Sequence, residues 1–194
     1  MGLGHSCGPS LAQSTARFGK GGNTIVEHLF VKRALLEGVL LSSLLGLLIV
    51  SALYHNAEMW LKDYPPAIQE AFGPISDDVR THRVVYVAPL AFLLRALLIT
   101  SNERLKNLSS GKLPFATAFI NALLIFSAFN LFDLVIIDYL PFITIQPSFV
   151  VLPGTVGTTS YEAVTFHAVN FLKGVGFSLL GSAAVASLTS RRAM

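Results

Sequence analysis

Charge is what this sequence has least of. Asp, Glu, Lys and Arg make up only 13% of its 194 residues, against roughly 25% in a soluble globular domain. So little charge cannot clothe an ordinary protein surface in water, which excludes a standard soluble domain. Cysteine occurs once, at Cys7, so neither an intrachain disulfide nor a thiolate metal cluster can form. The strings that announce familiar chemistry are missing too. There is no H-E-x-x-H, no paired C-x-x-C, no serine-nucleophile motif, no phosphate loop and no dinucleotide fingerprint. No cofactor is expected from such a sequence.

What is present is apolar. Hydrophobic residues reach 53% and mean hydropathy is +0.62, gathered into runs at about residues 34–54, 84–100, 114–137 and 166–188. Each approaches the ~20 residues a helix needs to cross about 30 Å of hydrocarbon. The expected fold is all-α: a four-helix transmembrane bundle, one domain over residues 24–194, behind a disordered cytoplasmic tail at residues 1–23 that is rich in Gly and Ser. The first outer loop, residues 55–83, should hold a short interfacial helix, with Pro66 in its first turn and Gly73-Pro74 as its stop. Trp60 and Tyr64 are expected at headgroup level. Ser76, followed by Asp77 and Asp78, reads as the N-cap of the second span. The second outer loop, residues 139–165, is read as irregular. It is built on Leu152-Pro153-Gly154-Thr155, where Gly154 can supply the positive φ of a type II turn.

The net charge of +3 and pI near 9.2 do not point to nucleic acid, because the basic residues flank the apolar runs. Nine Lys and Arg fall on one side (Arg17, Lys20, Lys32, Arg33, Arg104, Lys106, Lys112, Arg191 and Arg192) and three on the other (Lys62, Arg80 and Arg83). That asymmetry predicts a multi-pass protein of the plasma (inner) membrane with both termini cytoplasmic. Met1-Gly2-Leu3-Gly4-His5-Ser6 fits an N-myristoylation pattern with Cys7 beside it. Val50-Ser51-Ala52 offers small residues after the first run. That run is longer than the ~7–15 residues of a secretory h-region, so an uncleaved anchor is expected.

Polar residues inside the apolar runs are the candidates for function. Ser127, Asn130 and Asp133 are three apart and share one side of the third span; His167, Asn170, Lys173, Gly174, Phe177 and Gly181 form the matching stripe on the fourth. A lone Asp or Lys within a membrane helix costs about 2.5–3.5 kcal/mol. Asp133 and Lys173 are therefore expected to pair, as a structural clamp or as part of a polar ligand site. Arg95 is expected to snorkel, with Asn121 or Glu37 as alternative partners, and Glu37 to snorkel or pair locally. His55, Glu58, His82, Asp138 and His167 gather on the outer face. His55 and Glu58 have i,i+3 spacing, but interfacial histidines are usually rim residues and no metal site is expected. Gly174, Ser178, Ser182 and Ala186, at intervals of four, suit close helix packing within the bundle rather than a dimer.

The strings Tyr64-Pro65-Pro66-Ala67-Ile68-Gln69-Glu70, Phe132-Asp133 with Asp138, Leu152-Pro153-Gly154-Thr155, Tyr161, and Phe166-His167 leading to Phe171-Leu172-Lys173-Gly174 occur in that order. In this order the chain resembles a group of small, uncharacterised four-span membrane proteins found mainly in bacteria. The resemblance covers roughly residues 34–188 and implies a class and a topology, with no catalytic residues. Two functions follow as expectations. The first is a non-enzymatic integral membrane protein, an accessory subunit or small carrier, whose polar site draws on Asp133, Lys173, Asn130, Asn170, His167, Asp138 and Arg95. The alternative is a small membrane enzyme acting on a lipid or quinone at the outer interface through His167, Asp138 and Tyr161. Membrane lipids are the expected partners, a protein partner or a homo-oligomer is left open, and nucleic acid is not expected.

Overall fold

The structure is a computed structural model that describes the backbone of residues 11–190 and the side chains of residues 29–190. The lipidation pattern at residues 1–7 and the closing Arg191 and Arg192 lie outside the described residues. Among the described residues every regular element is helical: α1 (Leu11–His55), α2 (Pro66–Phe72), α3 (Asp77–Leu108), α4 (Phe115–Phe132) and α5 (Val164–Thr189). A π-helical segment, Asp133–Ile145, continues α4 directly, and 3-10 turns occupy Ala57–Asp63 and Thr159–Glu162. Among the described residues four stretches are long and apolar enough to cross a membrane: Leu29–His55, Asp77–Leu108, Phe115–Ile145 and Val164–Thr189. The four expected runs therefore build the expected helical bundle. Because α1 is helical from Leu11, helix also runs through part of the tail that composition assigned to disorder.

Local chemistry sets the ends of these helices. Ser76 Oγ accepts the Val79 N–H at 3.4 Å and caps α3 as read from the sequence. Asn56 Oδ1 accepts the Glu58 N–H at 2.9 Å and starts a new turn immediately after α1. The third span runs on to Ile145 instead of ending near residue 137, so the second long loop is shorter than expected. Pro141 reads as a breaker because it lacks an N–H. Yet the segment stays helical, with its hydrogen bonds relaxed to i→i+5, and sets Phe142, 5% exposed, edge-on against Tyr64 at 5.0 Å.

Inside and outside are sorted as lipid demands. Leu40 and Leu47 are each 71% exposed and Leu180 72%, whereas Ser42, Ser101, Asn102, Asn121, Ser178 and Ser182 are buried. A lipid-facing leucine carries no hydration cost, and small or polar residues let helices meet closely. An ideal Cβ on Gly38 would lie 2.7 Å from Ala128 Cβ, so α1 and α4 touch almost backbone to backbone. The row Ser178, Ser182 and Ala186 is buried in the bundle, as its spacing suggested.

At one end of the bundle a polar knot ties α1, α3, α4 and α5 together. Asn121 Nδ2 donates to Ser101 Oγ at 2.8 Å and to Asn102 Oδ1 at 3.0 Å. Ser101 Oγ in turn donates to the Glu37 carboxylate. Asn102 Nδ2 donates to Ala118 O at 3.2 Å and to Thr189 Oγ1 at 3.0 Å, and Thr189 Oγ1 passes its own proton to Val185 O at 2.9 Å. Each amide is satisfied, as a low-dielectric interior requires.

At the other end the two long loops pack into a cap. Tyr64 and Ile68 are 0% exposed, and Val150, Leu152 and Tyr161 are within 2% of fully buried. Tyr64 is thus a core residue and not the headgroup anchor its sequence position suggested. Its hydroxyl donates to Val150 O at 2.7 Å, pinning the second loop. Burial first, then the neighbouring Tyr161 and Asp63, push its phenol well above the ordinary value, so it remains a donor. The Thr155 N–H reaches Leu152 O at 3.1 Å across Pro153 and Gly154, whose φ is +79°. That is the expected type II turn.

Candidate functional site

The π-helical segment decides which side chains meet. In an α-helix Asp133 and Asp138 would point about 140° apart around the axis. With i→i+5 bonding, residues five apart become neighbours along one side. Both carboxylates therefore line a single cavity of about 470 Å³ between α1, α3, α4, α5 and the Ala57–Asp63 turn. Asn130, Asn170 and Lys173 line it as well, so five of the seven expected site residues come together. The first loop adds two residues that were not expected in the wall: Asp63, and Trp60, which was expected at headgroup level. Nothing in their local spacing marks them, because loop sequence carries no signal of how far a turn folds back over a bundle.

The cavity is graded. Leu45 and Leu94, Phe126 and Phe177 form its deep part, as chain order along the four helices dictates; Asp63, Asp133, Asp138, Trp60 and Asn170 ring the end nearer the loops. Leu45 to Leu53 spans eight residues of α1, so the wall is about 12 Å deep at 1.5 Å per residue. The Trp60 Nε1 atom is buried without a hydrogen-bond partner.

The expected Asp133–Lys173 ion pair does not form. Lys173 Nζ donates to Asn170 Oδ1 at 3.1 Å, one turn away on its own helix. The Asp133 carboxylate has no hydrogen bond or ion pair among the described residues, although its backbone N–H bonds to Phe129 O and Asn130 O. Lys173 is exposed, so its long stem carries the ammonium away from the carboxylate instead of across the helix pair. Arg95 is exposed and has no bonded partner among the described residues. It stands apart from the cavity, and Ser101 instead links the two groups considered as its partners, Glu37 and Asn121. Arg83 approaches Asp63 at 3.8 Å. The Asp63 side chain exposes 59% of its surface, part of it cavity wall. Burial still raises its carboxyl above the ordinary value, Arg83 and Lys62 opposing the rise and Asp138 adding to it.

His167 sits directly behind the carboxylate wall. It is 1% exposed, its Nδ1 lies 3.3 Å from Asp138 Oδ2, and neither ring nitrogen makes a hydrogen bond. It does not line the cavity. Tyr161, also 1% exposed, is held by the second loop: its hydroxyl accepts the Leu152 N–H at 2.9 Å and meets Thr155 Oγ1 at 2.6 Å. The three groups of the enzyme alternative are thus not gathered at an open cleft. His55 and Glu58 do not share a helical face, because α1 ends at His55 and Asn56 starts a separate turn. Glu58 Oε1 accepts the Ser76 N–H at 2.7 Å, and His55 stacks near Tyr86 at 6.0 Å. Among the described residues no three His, Cys, Asp or Glu side chains come together as a metal-holding set.

No family model, curated protein or solved structure matches the chain. The fold itself defines the class. Four apolar helices with lipid-type surfaces make this a multi-pass integral membrane protein, in contact with lipid along those helices.

Proposed function

We propose that the protein is a small membrane carrier or accessory subunit whose working part is the graded cavity between α1, α3, α4 and α5. One observation carries this reading: about 470 Å³ of space is walled by apolar side chains at one end and by Asp63, Asp133 and Asp138 at the other. Ligand sites of drug size are typically 300–1,000 Å³, mostly apolar, with a few convergent polar groups. Tyr64, Leu152, Thr155 and Tyr161 meet in one loop cap beside the cavity. An enzyme acting on lipid or quinone is the weaker reading, because His167 and Tyr161 are buried off the cavity wall. Trp60, the sole tryptophan, makes the cavity self-reporting. In detergent, 1-bromooctane should quench its fluorescence saturably. Ala91→Phe, which fills the cavity from α3, should abolish the saturable part. Quenching that grows linearly, or that survives Ala91→Phe, would show that the space is not a binding site.

The orientation we propose puts both termini in the cytoplasm of a plasma (inner) membrane and the cavity rim on the outer side, on the strength of the nine-to-three Lys/Arg asymmetry. In a Cys7→Ser background, Ser148→Cys and Thr159→Cys should react with an impermeant maleimide added to intact cells. Reaction only after the membrane is opened reverses the topology.

A further inference from the structure

The chemistry of the cavity selects among ligands. Three carboxylates, Asp63, Asp133 and Asp138, line it against the single ammonium of Lys173, and that ammonium is turned to Asn170. Arg83 touches Asp63 only at 3.8 Å and belongs to a separate pocket with Lys62 and Arg80. The wall therefore carries more acidic than basic groups at its rim, over an apolar floor of Leu45, Leu94 and Phe126. The Asp138 side chain is only 21% exposed, and a charge held that far from water attracts a counter-charge more strongly than one at a surface. Trp60 lines the same rim, and an indole ring there suits a cation. His167, 1% exposed, stands behind the wall with Nδ1 3.3 Å from Asp138 Oδ2.

Resting on the carrier reading above, we infer that the ligand is a cationic amphiphile: a protonated or quaternary amine at the carboxylate rim, with a short alkyl or ring-based body in the apolar floor. The order of the groups excludes the opposite arrangement. A phospholipid would place its phosphate between tail and ammonium, and the cavity offers carboxylates where that phosphate would lie. An anionic amphiphile meets the same repulsion. The basic pocket of Lys62, Arg80 and Arg83 is a separate one that shares no lining residue with the cavity.

The test uses the full chain in detergent and three ligands with one tail: n-octylammonium, n-octanol and n-octanoate, each read by Trp60 fluorescence. Octylammonium should bind saturably and about tenfold or more tighter than octanol, a difference of ~1.4 kcal/mol or more, with octanoate weakest. Asp133→Asn should cut octylammonium affinity about tenfold and leave octanol unchanged. Asp63→Asn, in a turn outside the spans, should do the same in part and serves if Asp133→Asn does not fold. Equal binding of amine and alcohol overturns the cationic class while the carrier reading survives. No saturable response to any of the three overturns both.

Discussion

Gly174→Ala should lower the stability of the detergent-solubilised protein by about 2–3 kcal/mol, more than a methyl group costs in most places. An ideal Cβ on Gly174 falls on Asn130 Oδ1 and lies 2.8 Å from its Cγ. The amide is held in place, because its Nδ2 donates to Phe171 O at 3.2 Å across α4 and α5 and the residue is 9% exposed. Any side chain at 174 must push this amide aside, breaking the bond within an apolar bundle. Asn130→Ala removes the obstacle, so adding it to Gly174→Ala should recover part of the loss, and a double-mutant cycle in thermal denaturation measures the coupling. Strictly additive losses would show that the two residues do not compete for one space.

Tyr161→Phe should be nearly as damaging, at about 2 kcal/mol, although it deletes one oxygen atom. Thr155 Oγ1 donates to Leu152 O at 2.7 Å, so the Tyr161 hydroxyl must be the donor in its 2.6 Å bond to Thr155. The same hydroxyl accepts the Leu152 N–H at 2.9 Å. The three residues close a ring in which every proton is assigned, and all three are at most 2% exposed. Losing the hydroxyl strands the buried Leu152 N–H, worth about 1–3 kcal/mol when unsatisfied, and leaves Thr155 Oγ1 with only its own bond to Leu152 O. The loop should then open, so limited proteolysis within residues 146–158 should accelerate well before global unfolding. Thr155→Val should reproduce the effect and add little to Tyr161→Phe. An unchanged cleavage rate in both variants would remove the ring from any role in holding the cap.

What could be read in the sequence followed from scale. A crossing helix needs some twenty apolar residues in a row, and that signal survives any detail of packing; the four spans, the Ser76 cap and the Pro153-Gly154 turn were all legible. The polar site was legible in place but not in pairing. Asn130, Asp133, Asn170 and Lys173 were found by 3.6-residue periodicity, which holds on α4 and α5. It fails one residue beyond Phe132, where bonding becomes i→i+5 and brings Asp138 round beside Asp133. Lys173 was assigned to Asp133 by charge alone, whereas its stem reaches Asn170. Asp63 and Trp60 were not legible as wall residues, because that depends on how the Ala57–Asp63 turn folds over the bundle. Glu37 and Asn121 were read as alternative partners of Arg95, and nothing marked Ser101 or Asn102; their meeting requires the packing of three helices.

The polar knot has a consequence for traffic. It staples four helices at one end with directed hydrogen bonds, while the cavity lies towards the other end. A bundle so stapled is held closed at the Asn102 and Asn121 end, so a carrier built this way would have to break those bonds before its ligand could leave on that side.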